Sequence, residues 1–93
     1  MLGKIDSCTL DSDYVAIRTQ DGDFVVAHVP NRDLKKNDRV KGDLCNPGRV
    51  YLHCPRYETS VEVFVEYCRL DNQAAAMVMA GHDARDVRKS AVA

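Results

Sequence analysis

Ninety-three residues, 45% hydrophobic and 29% charged, suit one small folded unit, because a chain of this length buries one apolar core and not two. A formal net charge of −1 excludes the strongly basic signature of a dedicated duplex-DNA binder. Every window of about twenty residues carries charge and MLGKIDSCTLDS holds no continuous apolar segment, so neither a membrane span nor a signal peptide is expected, and the expected compartment is the cytoplasm.

In chain order, Met1 to Leu10 offers Leu2, Ile5, Cys8 and Leu10 without clean alternation, which predicts a strand with a bend or bulge near Gly3. Asp11-Ser12-Asp13 predicts a turn, since short polar side chains hydrogen-bond their own backbone. Tyr14 to Thr19 alternates and leads into Gln20-Asp21-Gly22-Asp23, whose Asp-Gly pair favours a tight hairpin because glycine accepts positive φ cheaply. Phe24 to Val29 is the return strand. It is apolar on both faces, so one face should meet the core and the other should be partly covered. Pro30 ends it.

Asn31 to Asp38 reads as a polar connection anchored by Leu34. Arg39 to Cys45 predicts a short strand with Val40 and Leu44 inward and with Gly42 at a bend or a close backbone approach. After the turn Asn46-Pro47-Gly48, the strand Arg49 to Cys54 sets Val50, Leu52 and Cys54 on one face and Arg49, Tyr51 and His53 on the other. The most regular stretch is Ser60 to Leu70, SVEVFVEYCRL. Period two puts Val61, Val63, Val65 and Tyr67 toward the core and Glu62, Phe64, Glu66 and Cys68 on the opposite face. Asp71 or Asn72 caps a helix through Gln73 to Ala80 that Gly81 ends, and a helix this short either docks through Met77 and its neighbours or stays frayed. His82 to Ala93 is expected to be a mobile tail.

These elements predict an all-β, mainly antiparallel fold: a small six-stranded, barrel-like meander over residues 1–70, with a short C-terminal helix and tail over 71–93. The segment Leu34-Lys35-Lys36-Asn37-Asp38-Arg39-Val40-Lys41-Gly42-Asp43-Leu44 resembles the polar turn, Asp and Val-x-Gly step that opens a strand in OB-fold and SH3-like barrels. The resemblance covers about a third of the chain and implies a barrel. Against the five-strand OB pattern, the chain offers no helix between the third and fourth strands and one additional strand.

Charge is unevenly spread. Residues 1–31 hold two basic side chains against five acidic, residues 32–56 seven against three, and residues 57–93 four against six. Arg32, Lys35, Lys36, Arg39 and Lys41 form a basic island able to track phosphates, and Arg49, Tyr51 and His53 on the next strand offer a stacking platform for unpaired bases. Asp33, Asp38 and Asp43, interleaved with the cations, equally suit an ordinary solvated loop.

The four cysteines read as reduced thiols, with Cys8, Cys54 and Cys68 facing inward. Cys45, His53 and Cys54 lack zinc-site spacing, and His28, His53 and His82 form no catalytic constellation, so neither metal, cofactor nor enzymatic activity is expected. The leading expectation is a non-enzymatic module contacting single-stranded nucleic acid through Arg32, Lys35, Lys36, Arg39, Lys41, Arg49, Tyr51 and His53. The alternative is a protein-interaction module or small inhibitor that meets its partner through the acidic flanks and Glu62, Phe64, Glu66 and Met77, with the Ala/Met helix as a contact in a homodimer or with a partner.

Overall fold

A computed structural model describes residues 1–9, 13–30, 34–55 and 60–81. Six strands appear: β1 (Leu2–Cys8), β2 (Tyr14–Thr19), β3 (Phe24–His28), β4 (Arg39–Lys41), β5 (Gly48–Leu52) and β6 (Val61–Leu70), followed by a helix α1 over 72–81. All neighbours pair antiparallel in one sheet of order β4-β1-β2-β3-β6-β5, which curls into a half-barrel. The expected meander therefore holds for β1 to β3 and for the pair β5 and β6, and is broken at β4. The consecutive strands β4 and β5 lie at opposite edges of the sheet, and those edges meet at a single bridge where Lys41 and His53 exchange two backbone hydrogen bonds of 2.8 Å.

The Asp-Gly signal forms the hairpin it predicts. The Gly22 N–H donates to Thr19 O at 3.0 Å and the Thr19 N–H to Asp23 O at 2.8 Å, while Gly22 takes φ +88°, a conformation that glycine adopts without strain. In β2 and β3, Val15 pairs with Ala27 and Ile17 with Val25 on the inner face, while Ala16 pairs with Val26 on the outer face. The inner core also takes Ile5, Leu34, Val40, Leu44, Leu52 and the Val61, Val63, Val65 series. Each fully buried Ile or Leu in it contributes roughly 1.5–3 kcal/mol relative to exposure. The outer face of β2 and β3 is covered by α1 through Met79, which packs on Ala16 and Val26.

Several expectations are corrected. The irregularity in β1 falls between Ile5 and Ser7, at Asp6. Gly3 instead marks close packing, since a Cβ there would lie 2.7 Å from Ile17 Cγ2. Tyr67 is 46% exposed and not in the core: β3 pairs Ala27 with Val65 but Val26 with Tyr67, so Glu66 is an extra residue and the inward phase passes from Tyr67 to Cys68. Cys68 accordingly packs against the inner core, Cys54 is buried, and Cys8 is exposed at the end of β1. Met77 is 68% exposed because it lies off the face of α1 that Met79 docks. The strand expected over 39–45 stops at Lys41, after which the chain bends, with Gly42 within close reach of β5. The expected mobile tail and Arg32 lie outside the described residues. No helix among the described residues is long and apolar enough to cross a membrane.

Candidate nucleic-acid interface

Residues directly opposite in an antiparallel pair share a face with Cβ atoms about 4.5–5.5 Å apart. The β4-β1-β2 registers place Lys4 opposite both Arg39 and Arg18, so three cations form one transverse row on the outer face, all exposed. The next row is continuous with the seam. There Lys41 bridges His53 on one side and pairs with Leu2 on the other, and Leu2 holds Gln20 through backbone and side chain. Lys36 adjoins this face, lining a recess of about 120 Å³ with Lys4, Asp6 and Arg18. Leu2, Gly3, Lys4, Arg18, Thr19, Gln20 and Arg39 line a shallow depression of about 320 Å³ on it.

Like charges facing each other across strands destabilise a sheet. Among the described residues, Lys4, Arg18, Arg39 and Lys41 make no ion pair or side-chain hydrogen bond that would offset this. Of the interleaved aspartates, Asp38 and Asp43 serve the turns, and Asp33 lies outside the described residues. Asp38 Oδ2 accepts from the Lys35 N–H at 2.8 Å, and Asp43 Oδ1 from the Cys45 N–H at 3.1 Å. Asn37 takes φ 75° in the turn between Lys35 and Asp38, a conformation that asparagine tolerates.

Of the sequence-predicted residues, Lys36, Arg39, Lys41 and His53 thus come together, with Lys35 exposed in the turn leading to β4. Lys4 and Arg18 were missed because they lie in the acidic first third of the chain, where only cross-strand register reveals them. Arg49 and Tyr51 stand apart from the row: Arg49 pairs with Phe64 and Tyr51 with Glu62, so the two alternative surfaces share one face of β5 and β6.

On that face Phe64 also pairs with His28, and His28 with Tyr14, with ring centroids 6.2 and 5.2 Å apart. The Tyr14 hydroxyl donates to Glu66 Oε1 at 3.1 Å, and His28 Nε2 lies 3.7 Å from Asp13 Oδ2. Phe64 is therefore half-buried beside His28, whereas the apolar contacts of α1 are with Ala16 and Val26.

Two thiols are perturbed. Cys8 as a whole is exposed, but its sulfur is partly buried toward Leu34 O, and this partial burial pushes the thiol up, partly offset by a backbone hydrogen bond at Lys36 and reinforced by Asp38. Burial likewise raises Cys68, against the pull of Arg69. Among the described residues no group of three or more His, Cys, Asp or Glu is arranged to hold a metal ion. No protein-family model, curated protein or solved structure matches this chain.

Proposed function

We propose that this chain is a small non-enzymatic binding module whose basic outer face tracks the phosphates of single-stranded nucleic acid. The observation that carries the reading is the row Arg39, Lys4 and Arg18, three exposed cations on neighbouring strands that make no ion pair among the described residues, although Asp6 lines the recess beside Lys4 and Arg18. Lys35, Lys36, Lys41 and His53 extend it around the seam, and Tyr51, 57% exposed on β5, offers a base a ring beyond it. The net charge of −1 suits a small footprint of this kind rather than a long duplex track.

Titration of a labelled short oligonucleotide at several salt concentrations tests this. Three or four released counterions give a log Kd against log salt slope of magnitude about 2 to 3, and the double substitution Lys4→Ala with Arg18→Ala lowers it by about 1.4. Absence of binding at low salt removes the reading. Binding that the double variant leaves unchanged moves the site elsewhere.

A second reading, contact with a protein partner, draws on the row Arg49, Phe64, His28 and Tyr14, flanked by Glu62 and Glu66, with Met77 exposed on α1. An oligonucleotide titration without signal, together with a Phe64→Ala substitution that abolishes capture of a partner, would favour it.

A further inference from the structure

The depression of about 320 Å³ contains more than charge, and its apolar and amide groups have no part in tracking phosphates. Its size lies at the lower end of small-ligand sites, about 300–1,000 Å³. Leu2 is 56% exposed there, an apolar side chain bordered by Lys41 on one side and Gln20 on the other. Gln20 is held in a reciprocal clasp: the Leu2 N–H donates to Gln20 Oε1 at 2.7 Å, and the Gln20 N–H donates to Leu2 O at 2.9 Å.

The clasp fixes the chemistry that the amide presents. A backbone N–H is only a donor, so the Gln20 side-chain atom facing it must be the oxygen. The NH2 group is then left as a donor toward the depression's other occupants, with no hydrogen-bond partner among the described residues. A donor beside an apolar surface, within a ring of cations, matches a base whose edge carries hydrogen-bond acceptors and whose flanking phosphates are anionic.

We infer that this depression is a base subsite, in which one unpaired base rests on Leu2 and accepts a hydrogen bond at its edge from the Gln20 side-chain NH2, while Lys4, Arg18 and Arg39 hold its neighbouring phosphates. The inference rests on the phosphate-tracking reading above. It goes beyond that reading in making Gln20 a contact to the base. Thymine and uracil accept through carbonyl oxygens and adenine through ring nitrogens, so the subsite requires a base without choosing among these three.

The test uses the full chain and four five-nucleotide probes: oligothymidylate, oligouridylate, oligodeoxyadenylate, and oligothymidylate with an abasic central position. The three probes with a base at every position bind about two- to tenfold more tightly than the abasic probe, as expected for one net hydrogen bond. The abasic probe loses affinity while keeping its salt slope. Tight binding of thymidylate and adenylate without uridylate identifies DNA as the source, and of uridylate alone RNA. Gln20→Leu narrows the difference between intact and abasic thymidylate without changing the salt slope. Gln20→Glu keeps an acceptor for the Leu2 N–H but removes the donor, and narrows the same difference even if the apolar variant misfolds.

Equal affinity for all four probes, with a steep salt slope retained, overturns the base subsite and leaves the phosphate reading standing. No binding of any probe at low salt removes both.

Discussion

Cys8 and Cys68 show how a single side chain registers its surroundings. Both thiols are raised above the ordinary range, chiefly by burial, which penalises the thiolate. The folded state therefore holds these protons more tightly than the unfolded chain does. Whatever stability this contributes is complete below the ordinary thiol range and is lost as pH climbs through the raised values. Alkylation followed by mass spectrometry should find both sites reaching half-maximal labelling at a more alkaline pH than a free thiol, and labelling of Cys68 at the pH of a free thiol would contradict the burial. The Cys8 thiol also points at Leu34 O, 4.0 Å away, so it borders the residue that anchors the turn before β4.

Among the elements, α1 depends most on its context. Ten residues make a helix that is marginal alone, so its capping and docking decide whether it forms. Asp71 caps it: Asp71 Oδ1 accepts from the Ala74 N–H at 2.7 Å. Met79 and Ala75 are buried, and Met79 packs on Ala16 and Val26. Urea denaturation should show Met79→Ala costing about 2 kcal/mol or more and Asp71→Ala about 0.5–2 kcal/mol, with Met77→Ala within about 0.5 kcal/mol of the parent. A Met77 variant as damaging as the Met79 variant would contradict the docked face described. The same outward phase explains β6. Its extra residue at Glu66 turns Tyr67 toward the side where Val26 meets the helix, so the regularity of SVEVFVEYCRL holds for the valines and breaks after Val65.

At the scale of the whole molecule the decisive feature is the seam. Among the described residues, a single backbone bridge, Lys41 to His53, joins the two edges, and Gly42 lets the chain pass β5: a Cβ at Gly42 would lie 2.5 Å from Leu52 Cδ2 and 3.2 Å from Tyr51 O. Leu52 is fully buried, so it cannot move aside cheaply. Gly42→Ala should destabilise the fold by about 1–3 kcal/mol in chemical denaturation and weaken oligonucleotide binding, because the seam aligns His53 and Lys41 with Leu2. An unchanged midpoint and affinity would show that the edges need not meet there.

The sequence by itself determined the strands, the hairpin at Gly22, the inward valines of β6 and the buried anchor Leu34, because each follows from period-two patterning or from the backbone preference of a single residue. Local signals also placed Tyr51 and His53 outward and made β3 apolar on both faces. Only the tertiary structure decided which strands are neighbours. Sheet order depends on contacts between residues far apart in the chain, and no local pattern encodes it. That order sends β4 to β1 rather than to β5, sets Lys4 between Arg39 and Arg18, and puts Arg49 beside Phe64. A charged row drawn from three strands is invisible in a linear charge count, since two of its members lie in the segment that the count makes acidic.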